Sequence, residues 1–310
     1  MKKSTISVIV TTYKKDEQFC DCLRSLFKQT TNNFEIIIIS RSEALDKIID
    51  KIKKPKKINL KYYFTPNRNL SYCRNLGIKY SSSDIVSFTD DDCLPDKNWL
   101  MNIKSQFLEY SSIYAVFGRT LPFEPKKNKG LISPCTFNKA TIKFIDEPCR
   151  HWEEIGYGNN MAFRKRIFNK IGLFKEWLGN GSPGLSCEDG ELAFRMLKKK
   201  FKILYSPNVI VYHNKWLNPN SKEWNRQTGY YKTGKLATYF YYSLNGDPIA
   251  KQIVMEHIGP IKKRFLYKLR NGIIKLSFGD IINSCKEIKY EIIGIYCGFW
   301  FNFCERLKLC

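Results

Sequence analysis

Short apolar runs alternate with amphipathic stretches through the first 120 residues. Ile6 to Val10 is a β-branched run of the length and character of a buried strand. From Asp16 to Gln29 the residues Phe19, Cys22, Leu23, Leu26 and Phe27 recur at helical spacing and define one apolar face. Phe34 to Ile39 reads as a second strand, and Leu45, Ile48, Ile49 and Ile52 mark a second helix. A strand over Ile58–Phe64 and a helix over Asn69–Tyr80, capped by Asn69 or Ser71, follow. The pattern repeats with a strand at Asp84–Thr89, a helix at Asp96–Glu109 that turns Trp99, Leu100, Ile103 and Phe107 inward, and a strand at Ile113–Gly118. Such alternation predicts an α/β fold with a mostly parallel sheet flanked by helices.

Residues 122–156 are rich in Pro and Lys and show no period, which suggests an insertion or mobile loop. Order returns with helices near Lys165–Ile171 and Glu188–Lys200 and a strand over Ile203–Tyr212. From about residue 214 the chain is aromatic, basic and helical in character. The expected organisation is a catalytic domain over 1–213 and a C-terminal helical segment over 214–310, which either covers the active site or touches a membrane.

Composition changes this picture in three ways. Hydrophobic residues make up 43% of the 310 and aromatics 15%, enough for a substantial core and unlike a disordered chain. Lys and Arg exceed Asp and Glu by 52 to 29, a formal charge of +23. That excess suits an anionic partner, although lysines spread along the whole chain also suit a solvated surface. Eleven cysteines, an odd number without a C-x-x-C, read as reduced and mostly buried thiols of a cytosolic protein. The N-terminal apolar run is too short for a signal peptide, and no stretch approaches the ~20 apolar residues of a membrane span.

Chemistry concentrates where strands end, the edge at which open α/β sheets bind ligands. Asp90-Asp91-Asp92 follows the apolar Ile85-Val86-Ser87-Phe88. Adjacent carboxylates raise one another's pKa, and a hard divalent cation relieves that repulsion while leaving positions open for phosphate. Thr11-Thr12-Tyr13 closes the first strand with hydroxyls and a ring suited to a ribose and a base. Glu188-Asp189 opens a helix behind the glycine-rich Gly179–Gly184, so that Asp189 is a candidate general base as well as an ordinary helix-start acid. His213 closes the strand Val209–Tyr212, as a structural histidine or a metal ligand.

The order of these motifs resembles the family 2 glycosyltransferases of the GT-A fold. The matching stretches are SVIVTTYKK, NRNLSYCRNLGIKYSSSDIVSFTDDDCLPDKNWL, GYGNNMAFRKRIFNKIGLF and CEDGELAFRMLKKKFKILYSPNVIVYH, together about residues 4–213. The resemblance implies that Thr11, Thr12, Tyr13 and Arg74 line the nucleotide pocket and that Asn159 and Asn160 face the sugar. It further implies that Asp90 and Asp92 are the ends of a metal-binding D-x-D with Asp91 between them. His213 completes the metal shell in some members, and Asp189 matches the catalytic base. The implied cofactor is Mn2+ or Mg2+, and the implied reaction moves a sugar from a nucleotide-sugar donor to a glycan or lipid-linked acceptor hydroxyl with inversion, in cell-surface polysaccharide synthesis.

One departure stands out. Ser40-Arg41-Ser42 occupies the place of an acidic turn that contacts the base in many members, which leaves the donor nucleotide open. Beyond residue 213 the resemblance is poor; Trp224-Asn225-Arg226 and the glycines of QTGYYKTGK suggest a loop over the diphosphate. A cytoplasmic location at the inner face of the cell membrane is expected, with a basic segment Pro260–Arg270 and an aromatic segment from Ile292 as peripheral contacts. Two alternatives remain from the residues themselves. A sugar-phosphate nucleotidyltransferase would favour a glycine-rich loop after the first strand, which TTYKKDEQ lacks. A nucleic-acid-binding protein would cluster its basic residues with stacking aromatics.

Overall fold

The computed structural model describes residues 5–13, 17–40, 48, 52, 54–148, 154–274 and 278–307; in the two C-terminal helices its side chains are described at 248–259, 263, 267 and 288–307. The helix expected around Leu45 and Ile49 and the Arg41-Ser42 turn lie outside the described residues. The chain divides into two compact units, residues 1–176 with 188–221 and residues 177–187 with 222–310.

The first unit is built on a nine-stranded sheet. In chain order its elements are β1 (Ile6–Thr12), α1 (Glu17–Phe27), β2 (Phe34–Ser40), β3 (Asn59–Phe64), α2 (Leu70–Tyr80), β4 (Ile85–Asp90), β5 (Cys93–Pro95), α3 (Trp99–Glu109) and β6 (Ile113–Pro122). They continue with β7 (Lys143–Ile145), β8 (Met161–Arg164), the single-turn α4 (Phe168–Ile171), α5 (Glu188–Lys198) and β9 (Lys202–His213). The strand order is β3-β2-β1-β4-β8-β6-β9-β5, with β7 also on β9. β1 pairs in parallel with β2 and β4, β2 with β3, and β6 with β9, while β8 joins β4 to β6 antiparallel to both. Six strands therefore run one way, and the carboxyl ends of β1, β4, β6 and β9 share an edge.

Burial explains why these segments fold as they do. Ile6, Val8 and Val10 of β1 pack with Phe19, Cys22, Leu23 and Leu26 of α1 and with Trp99, Leu100, Ile103 and Phe107 of α3 on one face of the sheet. Ile9 points to the other face, where α2 approaches so closely that a Cβ at Gly77 would lie 2.4 Å from Ile9 Cγ2. Asn69 is the N-cap of α2, accepting from Tyr72 N at 3.1 Å. β2 is buried along its whole length although it carries Glu35, whose carboxylate takes Ser7 Oγ at 2.6 Å, Ser82 N and Oγ at 2.7 Å and Lys61 Nζ at 2.9 Å.

Three strands lie outside the sequence reading, β5, β7 and β8, each of three or four residues and each antiparallel to its partners. Runs this short carry no period of their own; the longer strands beside them select them. β7 also gives the segment expected as a loop over 122–156 a place in the sheet, against β9.

The second unit holds α6 (Lys222–Leu244), α7 (Pro248–Ile274) and α8 (Phe278–Arg306). The glycines of QTGYYKTGK lie inside α6, so this segment is helix and not the loop its composition suggested. Their smallness serves close packing: a Cβ at Gly229 would lie 2.3 Å from the Tyr290 ring, and one at Gly234 would lie 2.4 Å from Ser186 Oγ. On α8, Gly294 and Gly298 face α6, where a Cβ would meet the Thr233 carbonyl at 2.7 Å and the Ala237 carbonyl at 2.5 Å.

Candidate active site

The aspartate turn sits at the shared edge of strand ends. Asp90 is the last residue of β4 and is paired in register with Thr11 of β1. The chain then reverses into β5, where Cys93 pairs with His213, the last residue of β9. His213 is in turn in register with Pro122 at the end of β6. Four strand ends thus deliver residues 11, 90, 122 and 213 to one place.

The three adjacent carboxylates point three different ways. Asp91 accepts from Thr12 Oγ1 at 2.7 Å. Asp90 lies 3.2 Å from Arg74 Nη2, and Asp92 lies 3.4 Å from His213 Nε2. Burial and the charge of Asp92 still hold Asp90 above the usual carboxylate range, against the pull of Arg74.

Arg74 links this turn to the start of α5. Its side chain is almost fully buried, with the guanidinium carbon 5.9 and 5.7 Å from the ring centres of Phe88 and Phe174. Nη1 donates to Glu188 at 2.6 Å, and Nη2 donates to Asp90 and to the Gly158 carbonyl, each at 3.2 Å. Burial works against the charged guanidinium, but Glu188, Asp90 and Asp189 outweigh it and raise its pKa. Glu188 is pushed well up by burial and by Asp189, with Arg74 opposing, because one cation serves several carboxylates in a dry place. Asp189 is half-buried and is aimed by two backbone donors, Gly158 N at 2.5 Å and Gly190 N at 2.9 Å.

His213 and Asp92, with Cys93 beside them, form a group whose potential ligand atoms all lie within 4.8 Å of one another. The Pro134 carbonyl, 2.6 Å from Nδ1, fixes the proton there and turns Nε2 toward Asp92. Burial lowers the imidazole's pKa, but Asp92, Asp90 and the carbonyl together raise it. Burial and the neighbouring aspartates push the Cys93 thiol well up, while the Asp92 carboxylate and His213 Nε2 supply an oxygen and a nitrogen donor. That donor set fits Mn2+ or Mg2+ better than the thiolate-rich sites that select zinc.

The remaining expected residues divide. Thr11 and the exposed Tyr13 lie at the end of β1 beside the turn. Asn159 accepts from Thr120 Oγ1 at 3.1 Å and donates to the Cys135 carbonyl at 3.3 Å. Asn160 is fully buried and its amide is used inside the sheet: Nδ2 donates to the Arg119 and Val209 carbonyls at 2.9 Å, and Oδ1 accepts from Trp99 Nε1 at 2.9 Å. Ser40 is buried at the end of β2. Sequence reasoning missed Cys93 and Gly158 and gave Glu188 no separate role. Only the Glu188-Asp189 adjacency was a signal, since the others depend on register.

A model of the family described as Glycosyl transferase family 2 matches residues 7–172. The chain is 24% identical over 257 residues to a chondroitin synthase of Pasteurella multocida, covering 72% of this chain and 26% of that protein. It is 27% identical over 173 residues to an uncharacterised glycosyltransferase of Rickettsia bellii, covering 55% and 21%. The chain thus spans about a quarter or less of the length of these relatives. Among solved structures, the mannosyltransferase PcManGT of Pyrobaculum calidifontis, in complex with GDP-Man and Mn2+, superposes with a TM-score of 0.61 at 13% identity, over 97% of this chain and 88% of that one. TarS 1-349 of S. aureus, in complex with UDP-GlcNAc, gives 0.54 at 19% identity, over 91% and 80%. These likenesses establish the fold, a central sheet flanked by helices of the GT-A kind.

Proposed function

The chain belongs to glycosyl transferase family 2, and from that premise we propose that it moves a sugar from a nucleotide-sugar donor to a hydroxyl of a glycan or lipid-linked acceptor, with inversion. Family membership favours glycosyl transfer over the nucleotidyltransferase and nucleic-acid alternatives. One observation carries the reading. A single buried guanidinium, Arg74, bonds both the aspartate turn and the start of the helix that bears Asp189. Donor end and base end are thereby held in one rigid network.

In this reading Asp189 removes the proton from the acceptor hydroxyl, its carboxylate oriented by Gly158 N and Gly190 N. Thr11, Thr12 and Tyr13 hold the nucleotide, and Asn159 stands on the sugar side. Asn160 shapes that side through the strands it joins. Asp92 and His213 would hold a divalent ion, with Asp90 beside it. When bound, such an ion offsets the negative charge that grows on the departing nucleoside diphosphate. Two structural likenesses support a nucleotide-sugar donor, since those proteins were solved with GDP-Man or UDP-GlcNAc. Relatives that include a chondroitin synthase support a polysaccharide product.

The test is a thermal-shift panel of nucleoside diphosphates with and without Mn2+. A ligand at 100 times its Kd stabilises the native state by about 2.7 kcal/mol. A shift that one base produces, and that chelator abolishes, supports the reading and identifies the base. No shift with any diphosphate, in an enzyme that turns over a sugar substrate of another class, overturns it.

A further inference from the structure

The outer side of α8 is apolar over three turns. From Ile292 to Phe303 the exposed positions are Ile292, Tyr296, Phe299, Trp300 and Phe303, between 43% and 62% accessible, and Leu307 continues the row at 53%. Their spacing of three and four residues makes one stripe along the helix. Tyr296 stacks on Trp300 with ring centres 6.4 Å apart, and Phe299 stacks on Phe303 at 6.3 Å, so the rings form a continuous outward sheet. The inner side is quite different: Gly294, Cys297, Gly298 and Asn302 are buried, and the two glycines seat the helix on α6. The helix therefore has its core face already filled and a second apolar face turned outward.

An exposed patch of this composition marks an interaction surface. Two features choose its occupant. Trp and Tyr rings with amphipathic edges concentrate where hydrocarbon meets water, and no helix among the described residues is long and apolar enough to cross a membrane. Charge supplies the second feature: the chain carries +23, and the sequence of α7 contains Lys262, Lys263, Arg264, Lys268 and Arg270 against the single acidic Glu256. We infer that the outer face of α8 lies on a bilayer surface rich in anionic lipid headgroups, its rings sunk into the headgroup–acyl boundary and the basic residues of the chain drawn to the lipid phosphates. This contact stands apart from the sugar-transfer reading and holds whichever donor the enzyme uses.

Flotation of the full chain with neutral phosphatidylcholine vesicles and with vesicles containing anionic phosphatidylglycerol tests it. The wild type floats with the anionic vesicles and is released by high salt. The triple variant Phe299→Ser/Trp300→Ser/Phe303→Ser loses about tenfold or more in partition, the scale expected when this much apolar area no longer leaves water. A second variant guards against misfolding: Trp300→Phe keeps the stripe, still floats, and loses the fluorescence quenching that brominated acyl chains impose on the wild type. Flotation of the wild type with neither vesicle, equal flotation of wild type and triple variant, or quenching undiminished in Trp300→Phe overturns the inference. So does a lipid-free dimer of the wild type, seen by light scattering, that the triple variant abolishes; the face would then belong to a second copy of the chain.

Discussion

Arg74 is the residue on which the site's electrostatics turn. It is buried against Glu188 and the Gly158 carbonyl and reaches the partly exposed Asp90, so removing it strands the Glu188 carboxylate away from water. Breaking a buried pair from one side typically costs about 3–5 kcal/mol. Arg74→Met should lower unfolding free energy by that order in urea titrations; a loss under about 1 kcal/mol would mean that water or ions already serve that carboxylate. Asp189→Asn tests the base: turnover should fall ~10²–10⁴-fold with donor affinity kept. The amide can satisfy only one of the two backbone donors at Gly158 and Gly190, so a modest loss of stability should accompany it. Weakened donor binding with unchanged turnover would assign Asp189 another role. Glu35 gives the pH dependence. Burial alone would raise its pKa, but bonds from Ser7, Lys61 and Ser82 bring it down from 4.5 to about 2. A depressed carboxylate stabilises the fold above its unfolded pKa and loses that stabilisation as pH falls through the folded value. Glu35→Gln should therefore be less stable than the wild type by roughly 2–3 kcal/mol at pH 7, with the deficit vanishing between about pH 4.5 and pH 2.

At the scale of elements, two glycines in neighbouring helices should respond oppositely to the same substitution. Gly298 of α8 has the Ala237 carbonyl 2.5 Å from where a Cβ would stand, and that atom is backbone that must move as a unit. Gly298→Ala should separate α8 from α6 and cost about 1–3 kcal/mol, as overpacking does. Gly259 of α7 has nothing within 4 Å of its Cβ position. Gly259→Ala should leave stability unchanged or raise it by up to about 1 kcal/mol, the helix-propensity gain of Ala over Gly. Thermal melts of the two variants decide the matter, and similar losses in both would show that Gly298 is not a packing contact. The sheet carries the same logic: β5 exists because β9 offers it a partner, and through that pairing Cys93 and Asp92 come beside His213.

At the scale of the whole molecule, nucleotide binding and metal binding should be one event. Asp92→Asn removes a charged ligand while Asn keeps the size of the side chain. The variant's melting temperature without ligand should match the wild type's within a degree or two, while its shift with nucleoside diphosphate plus Mn2+ should disappear. A full shift in the variant would take Asp92 out of the metal shell. The match over residues 7–172 places the chain in glycosyl transferase family 2, and this experiment asks how that family's chemistry is realised here.

The amino-acid sequence by itself determined the alternation of strands and helices. Runs such as Ile6–Val10 and faces such as Phe19, Cys22, Leu23 and Leu26 carry their periods within one element, and burial later followed those periods. It also determined which residue types stand at strand ends, because apolar runs stop visibly at Thr11, Asp90 and His213. Tertiary structure alone decided where those residues point. Arg74 and Glu188 are 114 positions apart, and Thr12 and Asp91 are 79 apart; such pairs have no local period and exist only once parallel pairing sets the register. The same holds for the glycines of α6, which read as a loop in isolation and became helix because neighbours press on them. The aromatic row of α8 shows the boundary most plainly. Composition revealed that rings are dense from Ile292 onward, but which of them face outward depended on two glycines, 294 and 298, that fix the rotation of the helix against α6 by close backbone approach.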